Sequence, residues 1–195
     1  MPLSKPKPRN HLHSRDIACR GFRRDDGLWD IEARLTDMKT YSFDNHDRGG
    51  IPAGEPVHDM WIRLTLDDGM TIHAAEAATD AAPFNPCAEI PARFSDIVGL
   101  VIGPGWRKSV IGLFGRLKGC THLTDLLIGP VATTAMQTIH AARADRHGRE
   151  SSTTTTLPKI INSCHAFRDN GPVVERLWPE RFRADGEKPG DIGEA

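Results

Sequence analysis

Apolar and polar residues alternate along three stretches in the first half of the chain. The stretches are 29–35, 57–66 and 70–77, and the last two flank Asp67-Asp68-Gly69. Alternation with period two is typical of a strand that buries one face, and Asp-Gly between two such strands is a strong hairpin signal. The pattern predicts three or four antiparallel strands, with Tyr41 and Phe43 continuing on the next strand.

From Glu89 onward the apolar spacing becomes helical. A third helix is expected to begin near Thr121, with Gly129-Pro130 kinking or splitting it. Strands followed by helices predict an α+β domain, in which helices pack on one face of an antiparallel meander. The two earlier helical stripes are Phe94, Ile97, Val98 and Val101, then Trp106, Val110, Leu113 and Leu117.

The chain ends are polar. We expect a basic, proline-containing flexible arm over 1–20, one domain over 21–182 with a linker near 147–158, and a disordered tail over 183–195. The basic arm lacks aromatic platforms and a recognition motif, which argues against nucleic acid as a partner. A chain of 195 residues can bury an adequate core without a metal or disulfide, so a metal or a reactive cysteine would be functional.

Charge and cysteine usage describe an ordinary soluble protein. The formal net charge is -1, so bulk electrostatics identifies no partner. Apolar runs are too short for a membrane helix, and the chain start has no apolar core of a signal peptide. The four cysteines are widely spaced and are expected to be reduced thiols. We therefore expect a cytoplasmic protein without membrane contact that acts on a small molecule, with its oligomeric state open.

Cys120 and His122 lie at a predicted helix start. The helix dipole there favours a thiolate, which would make Cys120 a better nucleophile or metal ligand, and His122 falls in the first turn. The alternative is a capped helix with a small buried thiol and a surface histidine. Spacing alone does not decide between these interpretations.

His58 and Cys87 also lie at junctions between elements. His58 shares strand parity with apolar Met60, so it points toward the core side, and Cys87 follows the last strand among three prolines. With Cys120 they make a His/Cys/Cys set that could bind zinc or iron with one open position. His122 could close that site as a fourth, structural ligand.

Metal-free acid/base catalysis by His58, Cys120 and His122 is equally compatible with the sequence. Four further residues could assist, each with a plainer alternative. Asp59 is a candidate catalytic carboxylate or a solvent-facing residue of opposite parity to His58. For substrate binding the candidates are Arg24 and Lys39, which could be plain surface charges, and Trp106, which could be a core anchor.

The segment "VHDMWIRLTLDDGMTIHAAEAATDAAPFNPC" and the later cysteine resemble the iron-sulphur scaffold proteins of the NifU type. Cys87 and Cys120 match that family's second and third cysteines, and His58 stands where its first would be. The resemblance implies a related fold over about 57–140. The histidine in place of cysteine departs from the ligand set that assembles a cluster.

A second resemblance covers nearly the whole chain. The motifs "GFRRDDGLWDIEARLTDMK", "HDMWIRL", "PFNPC", "GPGW" and "GCTHL" resemble a bacterial family known as domain of unknown function number 2889. The resemblance implies no family-wide activity, although it suggests proteobacterial neighbourhoods concerned with aromatic catabolism.

Three function classes follow. The first is a small-molecule enzyme, such as a lyase, isomerase or hydrolase for an oxygenated aromatic substrate. The second is a metal-binding or scaffold-like protein without catalysis, and the third is a binding module in which these residues are structural. An enzyme is expected to have an apolar cleft into which His58 and Cys120 both project.

Overall fold

A computed structural model describes residues 3–146 and 161–183. These residues belong to two compact units that divide between Arg149 and Glu150, and each unit is described by itself. The predicted single domain over 21–182 includes residues of both units and stays a prediction. The predicted linker near 147–158 lies outside the described residues, as does the predicted tail apart from Arg183.

The first unit contains a four-stranded antiparallel sheet. The strands follow one another as a meander in the order β1-β2-β3-β4. Helices follow the strands along the chain, which confirms the predicted α+β class. The strand bounds are β1 His13–Arg23, β2 Trp29–Lys39, β3 Pro56–Leu66 and β4 Ile72–Ala81.

Strand β1 corrects the prediction of a flexible arm over 1–20. It pairs with β2 along its whole length, from His13 opposite Lys39 to Arg23 opposite Trp29. Because it is an edge strand and largely exposed, its sequence lacks the apolar alternation by which a half-buried strand is recognised. Its backbone hydrogen bonds to β2 therefore determine the strand.

The middle strands supply one face of the core. Apolar residues at alternate positions of β2 and β3 are almost fully buried, as the period-two pattern predicts. The hairpin between β3 and β4 turns at Asp67-Asp68-Gly69, where the Asp67 carboxylate accepts the Thr71 amide at 2.9 Å. The buried positions are Trp29, Ile31, Ala33 and Leu35 on β2 and Met60, Ile62, Leu64 and Leu66 on β3.

The first predicted helix is replaced by two 3-10 segments, Asn85–Glu89 and Pro91–Ile97. Closely spaced prolines cannot donate the hydrogen bonds of a continuous α-helix, and the predicted stripe ends with Val98 and Val101 half-exposed. Phe94 is buried as predicted, and its ring stacks on Phe114 with centroids 4.4 Å apart.

The remaining helices of this unit lie where the sequence predicts helical structure. Helix α1 covers Trp106–Phe114 and excludes Leu117, which is fully exposed. Helix α2 covers Thr121–Leu126 and leads through a π-helical turn, Leu127–Val131, into α3, Ala132–Arg146. The π turn contains Pro130, so the predicted interruption is confirmed and takes the form of a widened turn.

Helix α3 packs across β1 at Gly21. A Cβ atom at that position would collide with the Thr138 side chain. The missing side chain therefore allows close approach between helix and edge strand.

The second unit contains α4, Pro172–Leu177, with 3-10 turns at His165–Phe167 and Pro179–Arg181. The Phe167 and Trp178 rings lie 6.2 Å apart. Across the described residues of both units, every helix is too short or too polar to span a bilayer.

Candidate functional site

Charged and imidazole side chains meet at one end of the sheet, on the face that the helices cover. In the strand register Arg15 lies opposite Asp37, and Asp37 lies opposite His58. Asp37 continues the buried positions of β2, and His58 continues those of β3, because every second residue points to the same face. His122, in the first turn of α2, completes the group from the helix layer.

Asp37 is the centre of this group, and its side chain is only 1% exposed. Arg15 donates two hydrogen bonds of 2.7 Å, from Nε to Oδ1 and from Nη2 to Oδ2. His13 Nε2 lies 3.1 Å from Oδ1, and His58 Nδ1 lies 3.0 Å from Oδ2. Burial alone would raise the pKa of Asp37, but the hydrogen bonds and charge of Arg15, with His13 and His58, lower it from 3.8 to about 2. The carboxylate is therefore ionised at neutral pH.

His58 and His122 form a tilted pair with ring centroids 3.9 Å apart. His122 Nε2 lies 3.7 Å from Asp37 Oδ2, so one carboxylate oxygen faces both rings. Burial is the main cause that lowers the pKa of both imidazoles, and the charge of Asp37 opposes it. Both rings are therefore neutral at neutral pH and can accept a proton.

Cys120 occupies the cap position of α2, as predicted, but it is not activated there. Burial raises the pKa of its thiol, and this outweighs the hydrogen bonds from the backbone amides of Leu123 and His122. Its Sγ lies 3.8 Å from both Met60 Sδ and His122 Nδ1. The expected thiolate is thus corrected: desolvation exceeds the effect of the helix start.

The group Asp37, His58 and His122 is compatible with a metal ion. One ligand atom from each residue lies within 4.8 Å of the others. Of the predicted ligands His58, Cys87 and Cys120, only His58 belongs to this group. Cys120 lies beside it, and Cys87 is half-buried in the 3-10 segment after β4.

A family comparison identifies the chain. The profile of DUF2889, described as a protein of unknown function, matches residues 13–137. The chain belongs to DUF2889. The match includes all of β1 and continues into α3, so it contains the whole Asp37 group.

No curated protein and no solved structure matches this DUF2889 chain. The resemblance to NifU-type scaffold proteins accordingly receives no support from solved structures.

Asp59, which we predict as a catalytic carboxylate, lies on the opposite face of the sheet. Arg34 donates to its two oxygens at 2.8 and 2.6 Å. The Arg34 guanidinium also lies over the Trp61 ring, 4.5 Å from the centroid. The strand parity of Asp59 explains its position, and the structure does not bring it to the imidazole pair.

The residues that we predict to bind substrate are Arg24, Lys39 and Trp106, and each has contacts of its own. Arg24 is exposed and pairs with Asp26 at 2.7 Å, and Lys39 Nζ lies over the Tyr41 and Phe43 rings. Trp106 is buried at the start of α1, where its Nε1 donates to the Leu127 carbonyl at 2.9 Å. These contacts are compatible with the surface and core alternatives, and the substrate-binding roles of the three residues stay predictions.

Sequence reasoning missed Asp37, Arg15 and His13. The signal for Asp37 was present, because a carboxylate occupies the next position of the buried face after Leu35. A charge at such a position requires a partner, and that partner could have been sought on neighbouring strands. Arg15 and His13 carry no such signal, because their strand is largely exposed and lacks apolar alternation.

An enzyme is expected to have an apolar cleft beside His58 and Cys120. Neither of the two best-formed pockets in the described part of the chain is lined by these residues. An apolar groove of about 720 Å³ lies along α1 and α3 instead, and neither residue lines it. The Asp37 group of this DUF2889 protein therefore lies at the end of the sheet, apart from that groove.

Proposed function

We propose that this DUF2889 protein is a small-molecule enzyme of the lyase or isomerase type, with His58 and His122 as its acid/base pair. One observation carries the proposal. A fully buried, ionised carboxylate holds one imidazole by a 3.0 Å hydrogen bond, while a second neutral imidazole lies 3.9 Å away, ring to ring. Such a group can accept a proton and return it.

Asp37 is the positioning residue in this mechanism. By accepting the hydrogen bond from His58 Nδ1, it assigns the proton to that nitrogen and leaves Nε2 with a free lone pair. A proton taken from substrate by Nε2 produces an imidazolium, which the Asp37 charge stabilises. Arg15 keeps Asp37 ionised. Asp37 can therefore orient His58 without itself taking the proton that His58 accepts from the substrate.

The second imidazole supports an assignment to lyase or isomerase chemistry. Two rings at this distance do not both carry a charge readily, so they hold one added proton between them. Both rings begin neutral. His58 takes a proton from one substrate atom, the pair shares that one added proton, and His122 delivers it to another substrate atom, which leaves both rings neutral again. The proton balance closes without a net gain or loss, as a bond-breaking elimination or an isomerisation requires.

An oxygenated aromatic substrate is the class that we favour. It rests on the aromatic-catabolism context that the family resemblance implies. A phenol or alcohol hydroxyl would provide a proton for a neutral imidazole to accept. A cytoplasmic location fits this proposal and stays a prediction from the sequence.

Metal binding without catalysis is the second candidate, with zinc or iron as the ion. It is favoured by the ligand atoms of Asp37, His58 and His122, because two imidazoles and a carboxylate suit these ions. Arg15 argues against it, since its guanidinium occupies both carboxylate oxygens and places a positive charge at the site. The scaffold version would further need cysteine ligands, and this group contains none.

The test is a substrate screen with matched variants. Oxygenated aromatic compounds are incubated with the protein, with and without a chelator, and products are separated by liquid chromatography. We expect His58→Gln and His122→Gln to lower kcat/KM by about 10²-fold or more. Asp59→Asn is the matched control, because it disrupts a similar arginine pair on the opposite face, and its kcat/KM is expected to stay near the wild-type value.

Two results decide between the candidates. Turnover that persists in chelator supports the acid/base pair. Binding of one equivalent of zinc or iron that the chelator removes, together with no turnover of any compound, supports the metal candidate. Unchanged kcat/KM in both histidine variants contradicts the proposed mechanism.

A further inference from the structure

A second concave surface lies between α1 and the start of α3, and we name it the α1/α3 groove. Its volume is about 720 Å³, within the range of about 300–1,000 Å³ that is common for small-molecule sites. Its walls are mostly hydrocarbon, and two wall residues, Ile111 and Met136, are 45% and 38% exposed. The apolar wall residues are Ile102, Ile111, Ile128, Ala132 and Met136, together with the Trp106 ring.

The uncharged polar side chains in these walls, Trp106 and Thr133, already have hydrogen-bond partners. Trp106 Nε1 donates to the Leu127 carbonyl at 2.9 Å. The Thr133 hydroxyl donates to the Gly129 carbonyl at 2.9 Å. The walls therefore favour a hydrocarbon body and offer little to a ligand that needs many hydrogen bonds.

The groove also has an uncompensated positive charge. Arg107 and Lys108 line it, are exposed, and form no ion pair with any side chain in the described part of this unit. No carboxylate lines the groove. The polar hollow beside Pro52 differs in this respect, because Arg48 there is paired with Glu55 at 3.3 Å.

We propose that the α1/α3 groove binds an apolar monocarboxylate, with its hydrocarbon body on the walls and its carboxylate at Arg107 and Lys108. Both the apolar walls and the unpaired cations are needed for this ligand. A second copy of the chain fits less well, because a twofold contact through the groove would bring the same two cations of each copy together. Aliphatic and aromatic acids share the required chemistry.

This site is separate from the proposed acid/base pair. Asp37, His58 and His122 do not line the groove. Ligand binding there can therefore be measured directly, without knowledge of the substrate. Loss of binding and loss of catalysis are distinguishable results.

The test is isothermal titration calorimetry with matched probes below their micelle concentrations. Decanoate and 1-naphthoate are compared with decylamine and 1-naphthylmethylamine, which keep the hydrocarbon and reverse the charge. We expect one of the two acids, or both, to bind one per chain, and the amines to bind at least about tenfold more weakly. The comparison of the two acids identifies the preferred hydrocarbon.

Variants locate the binding. Replacing both cations, Arg107→Gln with Lys108→Gln, is expected to weaken acid binding at least about fivefold. Met136→Glu places a negative charge on the apolar wall and is expected to weaken it further. Arg20→Gln removes an exposed cation of β1 and is the control with unchanged affinity. Thermal unfolding verifies that each variant is folded.

Each possible result either supports or overturns the proposal. Selective binding of an acid that depends on Arg107 and Lys108 supports the proposal. Equal binding of acid and amine, full affinity in the double variant, or no binding of either acid at millimolar concentration overturns it.

Discussion

Replacing Asp37 with asparagine removes a negative charge from beside Arg15 with little change of shape. The pKa of Asp37 is about 2, against 3.8 for an unperturbed carboxyl. At 1.36 kcal/mol per pKa unit, this difference corresponds to about 2.4 kcal/mol. Arg15 and His13 are 41% and 46% exposed, so solvent screens part of it. We expect Asp37→Asn to lower the free energy of unfolding by about 1–2 kcal/mol at pH 7.

The pH dependence of this loss follows from the direction of the shift. Because the pKa of Asp37 is lowered in the folded state, its contribution is complete above about pH 4 and decreases as the pH falls toward 2. The difference between wild type and Asp37→Asn is expected to fall to about half by pH 3. Urea unfolding at pH 7, 5 and 3 measures it.

A second readout separates positioning from stability. Asp37 raises the pKa of His58 against the effect of burial, so Asp37→Asn is expected to lower that pKa further. Histidine chemical shifts followed by NMR report the change. Asp59→Asn also disrupts an arginine pair but does not contact His58, so it leaves the His58 titration unchanged. Equal stability of wild type and Asp37→Asn at pH 7, or an equal difference at pH 7 and 3, would refute the reasoning.

Three further predictions concern the same unit. Gly21→Ala is expected to lower the free energy of unfolding by about 1–3 kcal/mol, because the new methyl group collides with Thr138. Adding Thr138→Ala should recover part of that loss. Urea unfolding that shows no loss in Gly21→Ala contradicts this packing. Iodoacetamide at pH 8 should modify exposed Cys164 before half-buried Cys120, as measured by mass spectrometry, whereas the reverse order would indicate an activated Cys120 thiol. Lowered imidazole pKa values predict falling stability from pH 7 to 5, with a shallower slope in His122→Gln; an identical slope would exclude that ring as a contributor.

The sequence predicted the sheet and the later helices because their pattern reflects burial. Alternation in β2 and β3, the Asp-Gly turn and the apolar spacing after Thr121 all appear in the structure. The prediction failed where the burial pattern of a segment does not reveal its backbone hydrogen bonding. β1 pairs with β2 along its whole backbone but is largely exposed, so it lacks apolar alternation. The stripe around Phe94 is 3-10 because the prolines restrict it.

The candidate site was predictable in part, for a similar reason. His58 was placed on the core side by its strand parity, and His122 by its position after Cys120. Their meeting depends on how α2 packs over the sheet, which local spacing does not encode. The expected Cys120 thiolate failed because the sequence shows the helix start but not the extent of desolvation around the sulfur.

β1 links the site to the edge of the sheet. It carries both Arg15 and His13, and in the sheet it pairs with β2 alone. Edge strands open locally at lower free-energy cost than central strands, and such openings appear as faster amide hydrogen exchange. A local opening of β1 would release two of the groups that hold Asp37 while the core between β2 and β3 stays closed. Substitutions that weaken the Arg15–Asp37 pair should therefore speed exchange along β1, and substitutions that fray β1 should raise the pKa of Asp37.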